Sequence, residues 1–110
     1  MKQIPKRVMI VSFDAVGAKD LEYLQTLPNF RRFFEQAALC SHVNSVCPSL
    51  TYPAHTSIVT GRMPKNHGIV NNTKSQPGRK DPDWLYHRKW IRSTTLYDEA
   101  KKKGMMTAGL

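Results

Sequence analysis

Two side chains stand where they could do chemistry, Asp14 and Thr51. Thr51 lies in the stretch 48–72, PSLTYPAHTSIVTGRMPKNHGIVNN, just ahead of an expected short helix. Pro53 falls in that helix's first turn, where a missing N–H costs nothing, and Gly61 supplies the stop. A hydroxyl at a helix N-terminus meets unpaired backbone N–H groups and the positive end of the dipole. That place suits a phosphate, and it equally suits a threonine that only caps. Asp14 closes the apolar run Val8, Met9, Ile10, Val11, Ser12, Phe13. Ligands of open α/β sheets bind outside the carboxyl ends of the strands. An acid there is a metal ligand or a catalytic group, or it caps the next helix.

The elements that must position these residues follow from periodicity. The run 8–13, rich in β-branched residues, suits a strand buried on both faces, as in a parallel sheet. A short helix is expected over 19–27, with Leu21, Leu24 and Leu27 on one face and Pro28 as its interruption. A second is expected over 29–38, capped by Asn29, its Phe30, Phe33 and Phe34 at helical spacing and directed to a core. A strand follows over 39–47, ended by Pro48, in which His42 is expected to be packed or hydrogen-bonded. Residues 62–68 read as a turn-rich loop and 73–83 as an exposed loop without periodicity. Trp84, Tyr86 and Trp90 alternate with basic residues, either as a binding surface or as an aromatic patch packed on the body. The last helix is expected over 96–103, with Asp98 and Glu99 in its early turns and Lys101, Lys102 and Lys103 at its end, as the helix dipole favours. A final strand is expected over 105–110. This alternation of strands and helices indicates a layered α/β fold.

Composition narrows the setting. The 110 residues are 40% apolar, enough for a core in one domain. Seventeen basic against eight acidic residues give a formal charge of +9, which favours an anionic partner. The basic residues are scattered, so a specific nucleic-acid interface is not expected. Cys40 and Cys47 are too few for a disulfide framework and read as buried free thiols. With no signal-peptide pattern and no run of transmembrane length, a cytoplasmic setting and no membrane partner are expected.

VSFDAVG followed by PSLTYPAHTSIVTGRMPKNHGIVNN resembles the type I phosphodiesterase/nucleotide pyrophosphatase family of the alkaline phosphatase superfamily, over nearly the whole chain from Val8 to Leu110. The resemblance implies the N-terminal part of a three-layer α/β/α sandwich with a mostly parallel central sheet. Residues 1–110 would then be the N-terminal fragment of one catalytic domain. It implies metal-dependent hydrolysis of phosphodiester or pyrophosphate bonds, with two zinc ions in the complete enzyme and a nucleotide-like, phosphorylated small molecule as substrate. Carried onto this sequence, Asp14 is a metal ligand and Thr51 is both nucleophile and metal ligand. Asn72 bonds a non-bridging phosphate oxygen, and Tyr52 stacks on the base. His55 and His67 match motif positions without being ligands and read as structural. The sequence departs from the family at Ala15, where glycine is common, and at Gly17, where a basic residue is common.

The implied chemistry is coherent. Metal coordination can bring a hydroxyl toward ionisation, and paired metals about 3.5–4 Å apart can clamp the attacking and leaving oxygens of an in-line displacement. A phosphorylated threonine would form and water would cleave it. Asp14 and Thr51 fall short of the usual four zinc ligands, so the remaining ligands are expected beyond Leu110. The 110 residues alone are expected to be inactive. The alternatives are a non-enzymatic basic module for anionic ligands, using the Trp84–Trp90 region, and a phosphomonoesterase or phosphonate hydrolase relative.

Overall fold

A computed structural model describes residues 7–109. Residues 1–6 and the last residue of the expected terminal strand lie outside the described residues. The chain divides into two compact units, Met1–Val43 and Asn44–Leu110.

In the first unit a 3-10 turn, Ala18–Asp20, leads into α1, Leu21–Thr26. Pro28 does not merely interrupt; it opens α2, Pro28–Phe34, at the helix's first position with Leu27 as the N-cap. The fixed φ of proline and its lack of an N–H suit that position. The expected Asn29 cap is thereby corrected, and the helix ends at Phe34 rather than Ala38. Leu21, Leu24 and Leu27 share partial burial, as their spacing requires. Phe30 packs on Phe13 at 6.2 Å and on Phe34 at 6.1 Å, whereas Phe33 is exposed. No described residue of this unit is fully buried.

The expected strands 8–13 and 39–47 do not form, and among the described residues there is no strand at all. The only β contact among them is an isolated antiparallel bridge between Thr73 and Trp84. A strand exists as a member of a ladder, because its N–H and C=O groups need partners on a neighbour. The run 8–13 has the composition of a buried strand without that neighbour, and Ile10 is 63% exposed. For the same reason Cys40 and Cys47 are free but exposed, not buried as expected. His42 is exposed too, its Nδ1 2.9 Å from the Ser41 hydroxyl.

The second unit is built on α3, Thr51–Thr60, and the single turn α4, Pro64–His67. Gly61 ends α3 in the left-handed region, φ 63°, its N–H donating to the Ser57 carbonyl at 2.8 Å. Such a φ strains any residue with a Cβ, so glycine is the fitting choice. The stretch read as a loop therefore contains a helical turn opened by Pro64. A 3-10 turn, Arg88–Trp90, precedes α5, Leu96–Lys102. Thr95 caps α5, accepting from the Asp98 N–H while Asp98 accepts from the Thr95 N–H at 2.7 Å, a reciprocal capping box. The buried residues of this unit are Pro53, Thr56, Pro64, His67, Ile69 and Thr95. No helix among the described residues is long and apolar enough to cross a membrane.

Candidate functional site

Leu50 takes the N-cap of α3, so Thr51 is its first helical residue and not the cap. The donors of this helix start can be counted. Pro53 has no N–H, and the Ala54 N–H donates to the Leu50 carbonyl at 3.0 Å. The Tyr52 N–H, which has no partner within the helix, donates to Asn72 Oδ1 at 2.9 Å. An amide twenty positions downstream thus does the work that a local capping side chain usually does. This narrows the idea of a multi-donor phosphate cradle at the helix start, because the Tyr52 and Ala54 N–H groups are already engaged. It also fixes the Asn72 amide. With the oxygen engaged by Tyr52, the two N–H bonds of the nitrogen are the side chain's remaining polar capacity.

Asn72 is itself anchored. Its N–H donates to Asn71 Oδ1 at 2.8 Å, and its carbonyl accepts from the Leu85 N–H at 2.8 Å. The Lys74 N–H donates to the Asp83 carbonyl at 2.8 Å, and the Thr73–Trp84 bridge lies between these two bonds. The segment 73–83, expected to be a loose loop, is closed on one carboxylate. Asp83 accepts from Lys74 Nζ at 3.0 Å and Gln76 Nε2 at 3.2 Å, and pairs with Arg79 at 2.8 Å. The hydrogen bond from Lys74 does most to hold this carboxyl below its usual range, with further help from Gln76 and Arg79. Polarity without period hid this closure, since nothing in spacing marks Asp83 as a hub.

Two histidines support the same helix. His55 Nδ1 lies 2.8 Å from the Thr51 carbonyl. A carbonyl can only accept, so this nitrogen carries the proton. His67 is 0% exposed. Its Nδ1 accepts the Ile69 N–H at 3.1 Å, which leaves the proton on Nε2, 2.9 Å from the Ser57 hydroxyl. Burial lowers its pKa, against a smaller opposite effect of the Pro53 carbonyl, so the neutral imidazole is the folded form. His67 ties α4 to α3, as a structural histidine should. Gly68 follows at φ 84°, and a Cβ there would lie 2.9 Å from Arg92 Cδ. Both the φ and the close approach require glycine. The P-x-x-H-G-I run is therefore a device that packs a helical turn and Ile69, 1% exposed, beneath the helix carrying Thr51.

The aromatic residues divide. Trp84 meets Tyr52 edge to face, centroids 5.6 Å apart at 63°. Tyr86 is exposed and lies on His87 at 4.2 Å. Trp90 is partly buried, with Lys74 Nζ 4.6 Å and Lys89 Nζ 5.1 Å from its ring centre. The Tyr52–Trp84 contact was not readable from sequence, because it depends on the bridge that brings residue 84 back beside residue 73.

The structure thus brings Thr51, Tyr52 and Asn72 together. Asp14 belongs to the first unit. Its Oδ1 accepts the Ala15 N–H at 3.0 Å, and Ala15 sits at φ 61°. The next helical turn is capped at Gly17, whose N–H donates to Asp20 Oδ2 at 2.7 Å. The capping reading of Asp14 is therefore removed. Among the described residues no group of three or more His, Cys, Asp or Glu could hold a metal ion.

Comparison with known proteins adds the following. The family model for type I phosphodiesterase / nucleotide pyrophosphatase matches residues 8–110. The bis(5'-adenosyl)-triphosphatase enpp4 of Mus musculus is 37% identical over 89 residues, covering 71% of this chain and 19% of that protein. The human protein of that name is 34% identical over 90 residues, covering 74% of the chain and 20% of the relative. Human ectonucleotide pyrophosphatase/phosphodiesterase family member 5 is 33% identical over 95 residues, covering 86% of the chain and 20% of the relative. The chain spans about a fifth of the length of these relatives. No solved structure matches significantly.

Proposed function

The chain belongs to the type I phosphodiesterase / nucleotide pyrophosphatase family, and from that premise we propose that it supplies the nucleophilic part of an enzyme hydrolysing phosphodiester or pyrophosphate bonds in nucleotide-like substrates. Its relatives carry pyrophosphatase, phosphodiesterase and triphosphatase names. The fold that family membership implies is the α/β sandwich of the alkaline phosphatase superfamily, of which this chain forms the N-terminal part. The observation that carries the proposal is the bond from the Tyr52 N–H to Asn72 Oδ1. It holds an amide donor beside the first turn of the helix that begins with the threonine hydroxyl.

In this reading Thr51 Oγ attacks phosphorus, the bond from phosphorus to the leaving oxygen breaks, and water later cleaves the phospho-threonine. Asn72 Nδ2 donates to a non-bridging oxygen, where negative charge builds in the transition state. Tyr52 offers its ring to the base. Asp14 and Thr51 are oxygen donors of the kind zinc accepts, and further ligands would come from outside these residues. A bound metal would supply Lewis-acid stabilisation and a more acidic threonine hydroxyl.

The competing reading, a basic module for anionic polymers in the Trp84–Trp90 region, loses support from an ion pair, since Arg88 is engaged by Asp98 at 2.7 Å. The test is kinetic, on the enzyme carrying this sequence. Thr51→Ala should abolish turnover of a nitrophenyl phosphodiester, whereas Asn72→Ala should lower kcat by about 10²–10³-fold, the scale of losing one oxyanion donor. Retained turnover in Thr51→Ala would overturn the proposal.

A further inference from the structure

We propose that Trp84 is a positioning and specificity-determining residue for the base-recognition role assigned above to Tyr52, and so rests on that reading. Three observations on the second unit converge. First, the Trp84 ring meets the Tyr52 ring edge to face, at 5.6 Å and 63°. Such pairs hold an orientation as well as burying area. Second, Trp84 is bound to the same framework as Asn72. The Thr73–Trp84 bridge lies next to the bond from the Leu85 N–H to the Asn72 carbonyl, and Asn72 Oδ1 returns to the Tyr52 N–H. Tyr52, Asn72 and Trp84 therefore form a closed circuit, in which one backbone ladder sets both the amide and the indole against the helix start.

Third, Trp84 is not consumed by this packing. It remains 52% exposed and lines an open groove of about 460 Å³ with Lys74, Tyr86, His87 and Trp90. That size lies within the range of small-molecule sites, roughly 300–1,000 Å³. A core tryptophan would be covered. An indole that steadies one aromatic ring, stays half exposed and lines a groove is placed to meet a planar ligand. The ligand class is a purine or pyrimidine base joined to a phosphoryl group, with the phosphoryl group at Thr51 and Asn72.

The test is a titration of the enzyme carrying this sequence with AMP and, separately, with ribose 5-phosphate, followed by ¹H–¹⁵N correlation spectra. Trp84→Phe identifies the Trp84 indole N–H signal. AMP should shift that signal and ribose 5-phosphate should not. Trp84→Ala should weaken AMP binding by about tenfold, the scale of one lost aromatic contact, and leave ribose 5-phosphate binding unchanged. Trp84→Phe should keep AMP binding close to that of the unaltered chain. An unchanged Tyr52 N–H signal in both variants shows that the helix start is intact. If AMP binds equally well to Trp84→Ala, or if both ligands weaken together, the inference falls while the phosphoryl reading stands. If neither ligand perturbs Tyr52 or Asn72 in the unaltered chain, both fall.

Discussion

The first unit of this chain is the richer in apolar residues, yet the second is the one that buries them. The second buries Ile69, Pro53 and Pro64 around a polar hub, His67, and two threonines. Among its described residues the first buries nothing fully, and Val8 to Val11 lie open. The second unit's order is written in short-range devices. In α3 and α4 a proline stands in the first turn and a left-handed glycine closes the helix, and one histidine bonds across the gap. Such devices act over about twenty residues and need no distant partner. The first unit's apolar run is written for a ladder, and a ladder needs another strand. Local chemistry can therefore bring Thr51, Tyr52 and Asn72 together without a sheet.

Breaking the hub should have the largest effect. His67→Ala removes both ring bonds and leaves the Ile69 N–H and the Ser57 hydroxyl without this partner. A loss of about 2–4 kcal/mol in the unfolding free energy of the second unit is expected, measured by urea denaturation followed through Trp fluorescence. A loss below about 0.5 kcal/mol, the scale of an ordinary surface substitution, would show that His67 is not the organiser. Asn72→Ala should cost less, about 1 kcal/mol, for the one bond to Tyr52. The diagnostic is local, since amide exchange at Tyr52 should accelerate more than at Ala54, whose N–H is bonded within the helix start.

The first unit offers the converse test. Ala15 holds φ 61° where only glycine is at ease. Ala15→Gly should therefore relieve strain there, by about 1 kcal/mol, and raise the thermal midpoint slightly. A lowered midpoint would contradict the strain at that turn.

The smallest effects concern pH, and both have one sign. Asp98 is held at about 2, chiefly by the hydrogen bond from Arg88 and then by Thr95. Its ordinary value is near 4, so this contribution is present above about pH 4 and is lost as pH falls toward 2. The pKa of His67 is lowered by burial from its ordinary 6.5. The folded form prefers the neutral ring, so its contribution is full above about pH 6.5 and is lost as protons load the unfolded chain below that. Denaturation midpoints should fall in two stages with acid. Asp98→Asn should flatten only the lower stage.

Much of the second unit was legible in the sequence. Pro53 and Gly61 bracketed α3 to within two residues, and Asp98 and Glu99 ahead of three lysines marked α5. His67 was read as structural from the family resemblance, in which its position is not a metal ligand. What was not legible came from contacts closed by folding. Asn72 serves as a remote cap, Asp83 gathers three side chains, and Trp84 returns to Tyr52. None of these leaves a period or a spacing, since each joins residues across a loop of arbitrary length. The strands failed for a different reason. Pattern reports which residues prefer burial, and the partner that would bury 8–13 is not written in the pattern itself.

The central claim is that the hydroxyl of Thr51 takes the phosphoryl group. Acid-quenching the enzyme carrying this sequence during turnover of a nitrophenyl phosphodiester, then mapping peptides by mass spectrometry, tests it directly. The account predicts a phosphoryl adduct on Thr51 that is absent from Thr51→Ala. An adduct on another side chain, or full turnover with Thr51 replaced, would contradict it.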